Sequence, residues 1–181
     1  MTDRSGAANT AAELRTEFDR TYAIPPSSQG LEPIEGLLAV RVAGDPYALR
    51  ISEISGLAND RKIVALPSPI SELLGVAGIR GGLVSVYSLA ALLGYNFDGE
   101  TPRWLALCGT EEHVGFAFHE FEGYLRVPRS QIYSAPQADA ERIHVKEVAR
   151  TGELVRAVVS IPAALETIKG QIGKGRSSKE R

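Results

Sequence analysis

Apolar and polar residues alternate with a period of two through most of the middle of the chain, and with a helical period only in short stretches. "LLAVRV", the turn "AGDP" and "YALRISEI" make a first hairpin. Within it Leu49, Ile51 and Ile54 are separated by polar positions, as in half-buried antiparallel strands. The same grammar returns in "WLALCGTEEHVGFAFHEFEGYLRV". There "WLAL" reads as a buried strand, "GTEE" as a turn and "VGFAFHEF" as a second strand with its continuation. The ends are different. "NTAAELRTEFDR" offers Thr10 as an N-cap with Glu13 three residues on, and places Leu14 and Phe18 one turn apart, which predicts a short amphipathic helix. "IPPSSQGLEP" forbids its continuation, so residues 1–33 are expected to form a helix and linker before a fold that begins near Ile34. At the other end, residues 169–181 are expected to be a disordered basic tail, since their closing stretch "GKGRSSKER" has nothing apolar to bury.

The strand patterns repeat. Leu49 matches Phe116, Ile51 matches Phe118, Ile54 matches Phe121 and Leu57 matches Tyr124, all at one spacing. "GVAGIRGGLVSVYSLAALL" then answers to "EVARTGELVRAVVSIPAALE", each giving strand, glycine turn, strand, serine and a short helix signal. Two homologous halves follow, roughly 34–100 and 101–168, and matched positions such as Ile51 and Phe118 should both be buried. Each half is too small to leave as an open sheet with bare edges, and closure into two small barrels is the physical solution. The fold class is therefore all-β.

Local chemistry fits that scheme. Gly81 and Gly82 lie between two strands, where a glycine pair supplies the positive φ of a tight hairpin turn. Ser88 and Ser160 stand where the pattern changes to helical spacing, as N-caps do, and Gly94 and Gly170 where those helices should end.

Charge and composition narrow the function. Twenty Lys and Arg against 22 Asp and Glu leave a net charge of -2, so no summed field draws nucleic acid or an anionic membrane. The single Cys108 forms no internal disulfide, the N-terminus lacks a signal-peptide core, and no apolar run approaches twenty residues. A soluble cytoplasmic protein without membrane insertion is the expectation. "GVAGIRGG" has the wrong spacing for a dinucleotide loop and precedes a strand, so no helix N-terminus awaits a phosphate. Cys108, His113 and His119 lack metal-ligand spacing. Glu111 and Glu112 occupy a predicted hairpin turn, and no nucleophile has a neighbouring base. No cofactor, metal or catalytic residue is expected.

The linked order "YALRISEI…LPSPISELLGVAGIRGGLVSVYSLAALLG", "VGFAFHEFEGYLRVPRSQI" and "VARTGELVRAVVSI" resembles the CheW family, adaptors of bacterial chemosensory arrays, over about Ile34 to Ile168. The resemblance implies two five-stranded barrels about a pseudo-twofold and a non-enzymatic scaffold for signal transduction. Its implied partners are the cytoplasmic tip of a chemoreceptor and the regulatory domain of a CheA-type histidine kinase. The family pattern G-V-x-N-L-R-G stands here as Gly75-Val76-Ala77-Gly78-Ile79-Arg80-Gly81. Gly75, Ile79 and Arg80, with Ile54 and Phe121, are the partner-binding residues it implies, set at a groove between the barrels. Several positions depart from the pattern: Gly78 for its asparagine, Ser85 for a proline, Ser88 for an aspartate and Gly56 for a glutamate. An accessory scaffold of a motility, pilus or developmental pathway, and a small-molecule-binding β-barrel, are the alternative readings. For Arg80 itself the residues leave open a solvated hairpin shoulder or a contact that offers a fixed fork of donors to a partner.

Overall fold

The computed structural model describes residues 32–96, 102–108, 113–135 and 144–177. The chain divides into two units, 1–32 and 33–181, and only the second is described below. The predicted helix around Thr10, Leu14 and Phe18, and the turn at Glu111 and Glu112, lie outside the described residues.

Twelve strands are present among the described residues: β1 (Ile34–Val42), β2 (Asp45–Arg50), β3 (Gly56–Asn59), β4 (Ile63–Val64), β5 (Leu73–Ile79), β6 (Gly82–Ser88), β7 (Trp104–Cys108), β8 (Val114–Phe118), β9 (Glu120–Pro128), β10 (Ile132–Ser134), β11 (Val145–Thr151) and β12 (Leu154–Val159). Helix α1 (Leu89–Leu92) follows β6, and α2 (Ile161–Ser177) follows β12. The serines cap as expected. Ala91 N donates to Ser88 Oγ at 3.2 Å and Ala163 N to Ser160 Oγ at 3.4 Å. The end of α2 differs from the expectation, since the helix passes Gly170 and runs to Ser177. Ile168 is buried in the core and Gln171 Nε2 donates to Glu72 Oε1 at 3.0 Å, so tertiary contacts hold a stretch whose composition alone would not.

The strands form two six-stranded sheets, in the orders β10-β11-β12-β2-β1-β9 and β3-β7-β8-β6-β5-β4. The sixth strands beyond the expected five are the short β4 and β10. The halves 34–100 and 101–168 do not map one to one onto the sheets, as the repeat alone would suggest. Each sheet takes two strands from one half and four from the other, joined by parallel pairs, β2 with β12 and β6 with β8. The sequence repeat is visible in the geometry. The β5–β6 ladder slips between Leu73 and Gly75, and the β11–β12 ladder slips at the matching place, between Val145 and Glu147.

Three apolar clusters explain the unbroken runs. Leu37, Ala48, Val127, Ala149 and Val158 pack together from the first sheet alone. Ala77, Ile79, Val84, Val86, Leu105, Leu107 and Ala117 do the same from the second. The third and largest draws on both sheets and both helices, including Val40, Leu49, Phe116, Phe118, Leu89 and Ile161. Central strands such as β8 are buried at every residue, because one face meets the sheet's own centre and the other meets the sister sheet. Phe118 is buried at 1 %, whereas its repeat partner Ile51 is only half-buried, since it lies in a 3₁₀ turn, Ile51–Glu53, at the cluster's margin.

Candidate functional site

The hairpin between β5 and β6 pairs Ile79 with Gly82, so its two loop residues are Arg80 and Gly81, one position earlier than the expected glycine pair. Their φ values are +49° and +82°. Both being positive defines a two-residue turn of the kind whose twist matches the strands. Arg80 itself therefore occupies the left-handed region, where Asn or Gly is favoured and a long side chain costs roughly 1–2 kcal/mol. The Ala43-Gly44 turn between β1 and β2 has the same geometry, with φ of +51° and +85°. Arg80 is exposed, and among the described residues no carboxylate pairs with it.

Arg80 overhangs a cavity of about 220 Å³ whose other walls include Ser55, Ile79, Leu107, Cys108 and His113. Ile79, 8 % exposed, forms the floor from the second sheet's own cluster. The Arg80 guanidinium lies 3.7 Å from the point where a Cβ on Gly56 would stand. That is ordinary van der Waals separation, so a small side chain at position 56 would fit beneath the arginine. Cys108 is buried, and burial, together with the charge of Glu53, pushes its thiol up to about 12. It is an inert wall rather than a nucleophile. Among the described residues no group of three His, Cys, Asp or Glu side chains could hold a metal.

The other expected residues sit apart from this cavity. Ile54 and Phe121 are half-buried against the large shared cluster, and the Phe121 ring packs on Trp104 with centroids 5.3 Å apart. Cys108 and Val114 belong both to that cluster and to the cavity walls, and Ser55, next to Ile54, also lines the cavity. Gly75 is set by its backbone, since its φ is +143° and a Cβ there would lie 2.0 Å from the Val64 carbonyl oxygen. Sequence reading missed Leu107, Cys108 and His113 as walls, because β7 and the residue before β8 are distant in sequence from Arg80 and carry no local signal. A ring of charge was also missed. Arg50 pairs with Glu35 and Glu147, and Arg129 donates to Glu35 Oε2 at 2.6 Å and Glu147 Oε1 at 3.2 Å. Burial raises the Glu35 carboxyl, but the two arginines outweigh it and hold the group below the usual carboxylate range. Glu53 Oε2 adds a link to α2 by accepting from Ile161 N at 2.9 Å.

Two β-sheets that exchange strands between the halves of the chain carry the Arg80 turn beside a cavity whose thiol is unreactive. The chain belongs to the family of the CheW-like domain, whose model matches residues 36–169. It is 25% identical over 97 residues to the chemotaxis protein CheW of Thermotoga maritima, covering 53% of this chain and 64% of that protein. The chain thus spans a little under two-thirds of that relative's length. Its fold is similar to the crystal structure of the scaffolding protein TtCheW from Thermoanaerobacter tengcongensis, with a TM-score of 0.64 and 16% identity over 71% of this chain and 90% of that one. CheW family proteins are scaffold and adaptor proteins rather than enzymes.

Proposed function

We propose that the chain is an adaptor of a bacterial chemosensory array, coupling the cytoplasmic tip of a chemoreceptor to the regulatory domain of a CheA-type histidine kinase. The Arg80 hairpin with Ile79, together with Ile54, Gly75 and Phe121 outside its cavity, serves as the partner-binding surface. The observation that carries this reading is the arginine in a left-handed turn position. A turn of this shape gains nothing from arginine and loses a little stability by it, and a strained residue held exposed on a rigid element is the usual mark of a binding role. Family membership and the chemotaxis name of the Thermotoga maritima relative support the pathway.

Binding to a receptor cytoplasmic fragment and to a kinase regulatory domain, measured separately on Arg80→Glu and Arg80→Asn, tests the proposal. Both variants should bind the receptor fragment at least about tenfold more weakly, roughly 1.4 kcal/mol. Melting temperature should hold for Arg80→Glu and rise slightly for Arg80→Asn, since asparagine suits the turn. Unchanged affinity in both would return Arg80 to a solvated turn. Absence of binding by the wild-type chain to either partner would remove the pathway itself.

A further inference from the structure

The first sheet has an unclosed seam. Among the described residues its edge strands are β9 and β10, which pair only with β1 and β11 and are joined by the 3₁₀ turn Arg129–Gln131. The sheet curls far enough for β9 to touch β11. Between them lies a groove of about 670 Å³, walled by Leu125 to Pro128 of β9, Tyr133 of β10 and Arg150 to Gly152 at the end of β11. That volume lies within the range of ligand sites.

Three side chains give the groove its chemistry. Arg126 and Arg150 are exposed, have no ion-pair partner among the described residues, and line the groove with no acidic neighbour in its walls. Tyr133 is half exposed, at 50 %. The repeat supplies a control. Through the matched pairings the other half has Asn59 where this one has Arg126, Val64 where it has Tyr133, and Gly78 where it has Arg150. The two cations and the phenol are additions to one half, and the common fold does without them.

We infer that this seam binds an extended acidic peptide segment of a partner, which lies along the free edge of β9 with its carboxylates on Arg126 and Arg150. The free edge offers main-chain donors and acceptors for strand addition, and the arginines set the charge of the segment that uses them. The same arginines repel a second copy of this edge, which keeps the chain from pairing with itself. The surface is separate from the Arg80 cavity, with which it shares no wall residue.

Fluorescence anisotropy on the full chain, with an N-acetylated heptapeptide alternating valine and glutamate and its valine–lysine counterpart, tests the inference. The glutamate peptide should bind saturably, weaken as salt rises, and protect amides within 124–128 from hydrogen exchange; the lysine peptide should not bind. Affinity should fall at least tenfold in the double variant Arg126→Gln/Arg150→Gln and stay unchanged in Arg80→Glu, each with the wild-type melting temperature. No saturable binding, equal binding of both peptides, an unaffected double variant, protection confined to other strands or loss of binding in Arg80→Glu would each overturn it.

Discussion

At the residue scale the buried histidine is the most consequential titratable group. His144 is 3 % exposed, its Nδ1 has no hydrogen-bond partner among the described residues, and Glu72 lies near enough to interact with its charge. Burial pushes the imidazole below its usual value and the Glu72 charge offsets this only in part. Glu72 stays ionised in this range: burial raises it, but hydrogen bonds led by that from Gln171 bring it below the usual carboxylate value. The unfolded chain takes up the histidine proton near pH 6.5, the folded chain only at lower pH. Between those values the unfolded state binds more protons, so stability is full above about pH 6.5 and falls as pH drops through the window below it. Urea midpoints from about pH 7.5 to 5 should show this slope, and His144→Gln should flatten it. An equally steep slope in the variant would assign the effect elsewhere. None of this was legible in the sequence. His144 carries no local signal, because its burial comes from residues distant in sequence, such as Glu72, whose charge reaches it.

At the scale of elements, turn chemistry and capping are legible in the sequence wherever the controlling residues are neighbours. Ser88 and Ser160 cap, and the β5–β6 hairpin exists, but its turn is Arg80-Gly81 because the ladder register, and not the glycine pair, selects the loop. Gly75 shows the opposite limit. Its conformation is demanded by β4, whose Val64 carbonyl passes over it, and no spacing in the sequence announces that crossing. Gly75→Ala should therefore displace β4 and destabilise the chain by more than about 3 kcal/mol, at the upper end for single substitutions. Thermal unfolding checks this. Gly78→Ala in the same strand has open space at its Cβ and should change stability by less than about 1 kcal/mol. Comparable losses in both would show that β5 tolerates no side chain, and that the close approach is not the cause.

At the scale of the whole molecule, period-two patterning and the internal repeat sufficed for an all-β fold with two related halves. They could not show which strands share a sheet, since a repeat is the same whether its units fold side by side or through each other. The pairings decide it: β1 and β2 lie between β9 and β12, and β7 and β8 between β3 and β6. Two fragments cut between residues 97 and 101 should each be largely unfolded by circular dichroism, and should regain strand signal and a cooperative melt when mixed. A fragment that folds alone would contradict the exchange. The Arg80 cavity had its arginine and Ile79 legible beforehand, with Gly82 and Val84 following in the same hairpin, whereas Leu107, Cys108, His113 and Val114 come from around β7 and β8, which reach it through this interleaving.

The parallel pairs β2–β12 and β6–β8 give the chain the form of a covalently tethered domain-swapped dimer, in which each half lends the other a hairpin. Such a chain gains from the tether an effective concentration that two free copies would have to match by abundance. It also loses exact symmetry, and with it the obligation to present the same surface twice. One hairpin carries Arg80 where its counterpart has Gly152, and one seam carries two arginines where the other has asparagine and glycine, so that a fold built on a repeated unit presents two dissimilar surfaces.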